Sequence, residues 1–309
     1  MLGYYLRSRV LGIKKPILAG LKLTHNCNLK CEHCPFWQNR DKSLSFLGAK
    51  QCMNELYEQG VRILIIEGGE PFLWKDGEYS LKDIVTEAKK LFFSVGVTTN
   101  GTFPIDVEAD IIWVSIDGLE ETHNQIRGES FDQIIANVST STHLKIYAHI
   151  TINSLNYEEI PSIVEFIANK VKGITIQFHY PYNGGTDKLF LEWDKREKVL
   201  DNLIQLKRKG LPIANSEACL KALKKNSWTC HPFMIASVEP DGKITQGCYV
   251  KNRGIVSCVN CGFSAHTEIS LAYATVIGAM KVGTQTFLSH KPKSNGGLQT
   301  SILKEKAKV

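Results

Sequence analysis

Three cysteines crowd one short segment, Cys27-Asn28-Leu29-Lys30-Cys31-Glu32-His33-Cys34. Cys31-x2-Cys34 by itself has zinc-ribbon spacing, and no second such pair follows within the segment. Three close thiolates suit an iron–sulfur cluster, because such clusters are held by cysteine sulfur. A cubane has one more iron than this segment has thiolates, and an open metal position is what a catalytic site needs and a structural site avoids. A zinc site with a distant fourth ligand is the competing reading. A second group, Cys230, Cys248, Cys258 and Cys261, comes late in the chain. Four thiolates satisfy either one closed [4Fe–4S] cluster or one tetrahedral zinc, and Cys258-x2-Cys261 is a zinc-like half-knuckle. Of the remaining two cysteines, Cys52 lies in a helical pattern and reads as a small buried side chain. Cys219 reads as a spare ligand or as nothing.

The elements around these residues alternate. An apolar run over 17–24 reads as the first strand, so the cysteine loop leaves its C-terminal end, where parallel α/β folds place catalytic loops. A helix is expected over 46–59 with Gly60 as its stop. A β-branched apolar run over 62–67 is of buried-strand type and enters Glu67-Gly68-Gly69-Glu70-Pro71. Paired glycines allow close approach of a backbone to a ligand, and they also mark ordinary turns. A helix over 81–93 closed by Gly96 precedes a strand over 95–99 that ends in Asn100-Gly101. A strand over 110–116 carries Ser115, Asp117 and Gly118 at its end, followed by His123-Asn124-Gln125-Ile126-Arg127-Gly128. Ser130 is the expected N-cap of a helix to 138. A strand over 144–152, a helix over 158–171 stopped by Gly173, and a strand over 174–179 complete the series. Right-handed crossovers put six such strands in one parallel sheet. Six units fall short of eight, so the expected fold is α/β, an open, partial (β/α)6 TIM-like barrel. Asn-Gly and Asp-Gly are also plain turn formers. Arg127 has a plain alternative as a surface arginine or helix-dipole partner. His149, His179 and Tyr180 either face a substrate or are satisfied buried groups, and none is assigned a catalytic role.

Beyond Gly184-Gly185 the pattern changes. Helices are expected over 194–209 and 216–225, and Pro240-Asp241-Gly242 reads as the turn of a β-hairpin. An apolar helical stretch over 269–280 is too short to span a bilayer. From Ser289 the tail is rich in Lys, Ser and Gly and reads as disordered.

C-x3-C-x2-C after a strand, with Gly68-Gly69-Glu70-Pro71 after the next, resembles the radical S-adenosylmethionine (SAM) enzymes. The resemblance implies a [4Fe–4S] cluster on Cys27, Cys31 and Cys34 whose open iron is chelated by the amino and carboxylate groups of SAM. Reductive cleavage of SAM would give methionine and a 5′-deoxyadenosyl radical. By the same resemblance Gly68, Gly69 and Glu70 receive the methionine ammonium, Asn100, Ser115 and Asp117 face the ribose or methionine end, Arg127 binds the carboxylate, and His33 lies at the cofactor. The second cysteine group resembles the auxiliary-cluster modules called SPASM and twitch. A full SPASM set needs more cysteines than remain, so one auxiliary [4Fe–4S] cluster fits better. This divides the chain into a basic amphipathic segment over 1–16, a radical SAM core over 17–190, a cluster module over 191–265, and a C-terminal helix and Lys-rich tail over 266–309.

A length of 309 residues fits one large domain or a domain with an appendage, and 43% apolar with 22% charged residues is ordinary for a globular protein. The formal charge of +6 is mild, and no Lys/Arg stripe with interleaved aromatics supports nucleic-acid binding. No secretory signal is visible, so nine cysteines fit metal or redox use in a reducing cytoplasmic compartment better than disulfides. Residues 1–16 mix apolar and basic side chains. They suit peripheral contact with an anionic membrane or a helix packed on the domain, and packing is preferred. The expected partners are a reductant such as ferredoxin or flavodoxin and a peptide, lipid or small-molecule substrate. Peptide or protein maturation leads, with isoprenoid modification at a membrane surface and a non-enzymatic electron carrier as rivals. The Gly-Gly-Glu-Pro motif argues against a carrier, which has no use for an ammonium pocket.

Overall fold

The computed structural model describes residues 2–38, 42–183, 185–251 and 253–288. The expected disorder from Ser289 on and the Gly184 half of the Gly-Gly exit lie outside the described residues. Eight strands form one sheet: β1 (Leu18–Lys22), β2 (Ile63–Glu67), β3 (Ser94–Thr99), β4 (Ile111–Ser115), β5 (Ile146–Ile152), β6 (Gly173–Phe178), β7 (Ile235–Val238) and β8 (Ile244–Gln246). The helices are α1 (Leu2–Val10), α2 (Phe46–Gln59), α3 (Leu81–Leu91), α4 (Glu120–Arg127), α5 (Phe131–Thr140), α6 (Ile160–Ile167), α7 (Trp193–Arg208), α8 (Glu217–Lys224), α9 (Ser264–Tyr273) and α10 (Ile277–Phe287). The spatial order is β8-β7-β1-β2-β3-β4-β5-β6. Strands β1 to β6 pair in parallel, each with its successor, as the alternating pattern requires.

The late hairpin is not detached from this sheet. β7 pairs in parallel with β1, with Leu18 opposite Ile235, and β8 pairs antiparallel with β7. The second cysteine group is therefore tied to the strand that feeds the first. Side chains alternate across each strand. Ala19, Leu21 and Leu23 join the core packed under the helices, together with Leu64, Ile66, Val95 and Val97. Gly20, Lys22, Ile65, Glu67, Trp113, Ser115, His149 and Gln177 belong to the other set and face the barrel lumen.

Three expectations about element ends are corrected. Gly96 does not close α3. It lies inside β3, where a Cβ would sit 2.5 Å from the Trp113 ring. Gly173 opens β6, and α6 ends earlier, at Ile167. Ser130 is the N-cap residue of α5 as expected, although its side chain makes no capping bond. It donates to Gly128 O at 2.9 Å, while Asn124 Oδ1 accepts from both Ser130 N and Phe131 N. The apolar stretch over 269–280 is broken at Thr275, whose φ of 63° ends α9 before α10 begins. Elsewhere the local signals hold. Ser45 accepts from Gly48 N at the start of α2, and Gly60 closes that helix in the left-handed region at φ 114°.

Helix α1 packs on the domain through Tyr4 and Tyr5, which meet Ile17, Met234, Ile235 and Tyr273. Ser8 Oγ lies 2.8 Å from Tyr273 OH, and Arg9 donates to Tyr273 O at 3.0 Å. Val10, Leu11 and Ile13 remain exposed. Among the described residues no helix is long and apolar enough to cross a membrane.

Candidate active site

The cysteine loop is clipped to the glycine loop. Gly69 N donates to Thr24 O at 2.7 Å, and Glu70 N donates to Asn26 O at 2.8 Å. A Cβ on Gly69 would stand 2.1 Å from Asn26 O, and one on Gly68 would stand 2.5 Å from Thr24 O. The two glycines are thus required by the approach of the cysteine loop itself, a use not foreseen from the sequence. Cys31 is buried, while Cys27 and Cys34 are half-buried. Burial pushes the Cys31 thiol up to about 11, and the neighbouring Cys34 and Cys27 add to this against the pull of Arg127.

Glu70 is fully buried with a committed carboxylate. Phe72 N and Thr99 Oγ1 donate to Oε1 at 3.1 and 2.8 Å, and Asn100 N donates to Oε2 at 2.7 Å. Burial still pushes its carboxyl up to about 7 against these bonds. Asn100 then reaches the cysteine loop, with Nδ2 2.9 Å from Asn28 Oδ1 and 3.7 Å from Cys27 Sγ. Asp117, also fully buried, accepts from Arg127 Nε at 2.6 Å and from Thr151 N at 2.7 Å. Burial alone would raise the Asp117 carboxyl, but the charge and hydrogen bond of Arg127, with His33 and the Thr151 N–H, together hold it below its ordinary value. Arg127 Nη1 lies 3.8 Å from Cys31 Sγ. Arg127 is therefore a buried residue at the cysteine loop rather than a surface arginine. His33 Nδ1 is 3.9 Å from Asp117 Oδ2, and burial and then Arg127 hold its ring down to about 3, so it is neutral near pH 7. Ser115 is buried at the end of β4, opposite His149 in register. His149 pairs with Thr175 at 2.9 Å and His179 with Asp187 at 2.9 Å, so both are satisfied groups.

The second group brackets the hairpin. Cys248 follows β8, and Cys261 N donates to Cys258 O in a tight turn. Burial, and after it the neighbouring Cys248, Cys261 and Cys258, push the Cys230 thiol up to about 11, so the four sulfurs share one neighbourhood. Gly262 O accepts from Phe178 N at 3.0 Å and Arg196 Nη2 donates to Cys261 O at 2.8 Å, which moors the turn to the end of β6. Among the described residues, no three His, Cys, Asp or Glu side chains converge tightly enough to hold a single metal ion. Cys219 is fully buried, with Sγ 3.8 Å from Ser264 O, and Cys52 is buried against Gly242 O at 3.6 Å. A surface groove of about 520 Å³ between Ser43–Cys52 and Pro240–Gly242 is lined by none of the residues assigned to either cysteine group.

Sequence reading missed three participants. His266, in the first turn of α9, lies with Nδ1 4.0 Å from Cys230 Sγ. Lys22, in the apolar first strand, and Arg253, in the loop between Cys248 and Cys258, meet over Glu239 of the hairpin.

Residues 21–167 match the model of the Radical SAM superfamily. The chain is 28% identical over 223 residues to Fe-coproporphyrin III synthase of Methanosarcina barkeri, covering 64% of this chain and 54% of that one. It is 30% identical over 169 residues to the sporulation killing factor maturation protein SkfB of Bacillus subtilis, covering 50% and 40%. The structure of Streptococcus suis SuiB bound to precursor peptide SuiA matches with a TM-score of 0.64 at 15% identity, over 80% of this chain and 63% of that one. Residues 21–167, just under half of the chain, thus resemble a radical SAM domain. The chain spans about half the length of the curated relatives it matches. Such a domain implies a [4Fe–4S] cluster that binds SAM, and the three neighbouring thiols with a buried guanidinium beside them fit that group chemically.

Proposed function

We propose that this chain holds a [4Fe–4S] cluster on Cys27, Cys31 and Cys34, binds SAM at its open iron, and cleaves it reductively to modify a substrate in the barrel lumen. The observation that carries this reading is the interlock of the cysteine loop with Gly68-Gly69-Glu70, with Asn100 on Cys27 and Arg127 on Cys31. When bound, the cluster supplies one electron and SAM the adenosyl radical. The chain's own residues position and compensate. Carbonyls of the Gly68–Gly69 turn and the Glu70 carboxylate favour an ammonium there. Arg127, oriented by Asp117, offers a charge-assisted hydrogen bond to the SAM carboxylate. Ser115 and Asn100 line the ribose side, and neutral His33 covers the cofactor.

Cys230, Cys248, Cys258 and Cys261 hold an auxiliary [4Fe–4S] cluster in a module over 191–265. The leading substrate class is a peptide or protein, in keeping with the maturation role in the name of SkfB. A carboxylated biosynthetic intermediate is the second reading, favoured by buried cations in the lumen. The electron comes from a ferredoxin- or flavodoxin-type reductant. The test is anaerobic incubation of the reconstituted protein with SAM and dithionite. Formation of 5′-deoxyadenosine and methionine supports the proposal, and their absence from a protein with a full iron complement refutes it.

A further inference from the structure

Lys22 and Glu67 lie opposite each other where β1 meets β2, on the lumen side. Gly20, one alternation earlier, leaves room for both Glu67 and Tyr249, since a Cβ there would stand 2.8 Å from Glu67 Oε1 and 3.4 Å from the Tyr249 ring. Into this corner comes Arg253, whose Nε donates to Glu239 Oε1 at 2.7 Å. The Lys22 ammonium lies 3.8 Å from the Phe36 ring centroid, and the Arg253 guanidinium lies 3.3 Å from that of Tyr249. Aromatic rings thus hold both cations, and a stacked guanidinium still presents its N–H edge.

Those N–H groups have nowhere to go. Lys22 Nζ, both terminal nitrogens of Arg253 and both ring nitrogens of His25 are buried without a hydrogen-bond partner in the protein. Lys22 and Arg253 side chains are each 2% exposed. Arg253 meets Glu239 through Nε alone, and the carboxylates nearest the unpartnered atoms stand off: Lys22 Nζ to Glu239 Oε2 is 3.5 Å, His25 Nε2 to the same oxygen 3.7 Å, and Arg253 Nη2 to Glu67 Oε1 3.6 Å. Against this surplus of donors the corner offers one unpartnered acceptor, Glu67 Oε1. A buried donor left unmet is unfavourable, and more so when it is charged. The shortfall calls for an acceptor-only, anionic ligand with paired oxygens.

We propose that Lys22 and Arg253, with His25 beside them, form a carboxylate-binding site in the barrel lumen that anchors the substrate. The inference rests on the radical SAM reading of the lumen and adds to it the chemical class of the substrate, a carboxylic acid. The site also stands close to the first cysteine group, since Cys34 is near enough to act on the Lys22 ammonium. Burial and then Arg253 hold that ammonium down to about 8, a strain that an incoming anion relieves.

The carboxylate has two possible sources, a substrate or SAM itself, and one experiment separates them. Radiolabelled glutarate is dialysed to equilibrium against the anaerobically reconstituted holoenzyme, and SAM affinity is measured on the same samples. Wild type should bind glutarate, and neutral glutaramide should not compete. Lys22→Met and Arg253→Gln should each weaken glutarate about tenfold or more, as loss of a charge-assisted pair requires. Lys22→Arg, which keeps the cation and guards against a folding artefact, should retain it. SAM affinity should stay within about threefold in every variant. Glutarate binding that is absent, or equal in wild type, Lys22→Met and Arg253→Gln, overturns the site and leaves its donors to water. Glutarate that displaces SAM, with SAM affinity falling tenfold in Lys22→Met, also overturns it, because the carboxylate is then that of SAM. A wild type that takes up no SAM but binds glutarate in this pattern refutes the radical SAM reading and supports the carboxylate site.

Discussion

Asp117 accepts a 2.6 Å hydrogen bond from Arg127 Nε, and both side chains are buried at the cysteine loop. The pair fixes a cation beside Cys31 that neither residue could hold there alone. Removing one partner of a buried pair strands the other charge, at about 3–5 kcal/mol. Asp117→Asn should therefore destabilise the apoprotein by about that much in urea unfolding and weaken SAM binding in calorimetry. Arg127→Lys should not restore SAM affinity, because an ammonium cannot donate to Asp117 and reach past it at once.

Glu70 supplies a pH signature. Its carboxyl is pushed up to about 7 from an ordinary 4.5, so the folded chain binds a proton more tightly than the unfolded chain does. Stability from this group is then present below pH 4.5 and is lost as pH rises through 7. Urea unfolding of the apoprotein between pH 5 and pH 8, with Glu70→Gln as reference, should show wild type losing up to about 3 kcal/mol relative to the variant. A difference that is flat, or that grows in favour of wild type with pH, contradicts the assignment.

A methyl group on Gly69 would meet Asn26 O at 2.1 Å. Gly69→Ala should push the cysteine loop off the glycine loop. Iron retained at the first site should fall sharply after reconstitution, while far-UV circular dichroism changes little, since the clash lies in loops and not in strands.

These predictions rest on features of unequal legibility. The cysteine spacing and Gly-Gly-Glu-Pro carry the site because their chemistry is local to a few residues, and the β-branched runs gave up β2 to β6 for the same reason. What sequence reading missed is long-range. Lys22 and Arg253 are far apart in the chain and meet only because β7 returns to pair with β1. Asp117 reads from the sequence as a cofactor contact, and its pairing with Arg127 at the end of the next helix shows only in the fold. Gly96 reads as a helix stop in the sequence because its reason, the Trp113 ring across the sheet, lies in the next strand. Thr275 carries no breaker signal, yet it splits α9 from α10.

The second cysteine group should be separable from the first. Replacing Cys258 and Cys261 together by Ala should remove about four irons per chain and leave the other cluster's electron paramagnetic resonance signal in place. One zinc per chain lost in their stead would make the module structural.

The central claim is tested most directly at the first cysteine group. Reconstituted wild type, given SAM and dithionite without oxygen, should yield 5′-deoxyadenosine and methionine in equal amounts. Cys27→Ala, Cys31→Ala and Cys34→Ala should each cut both products by about a hundredfold or more. Equal yields from wild type and any of these variants would contradict the assignment of the cluster to these three residues.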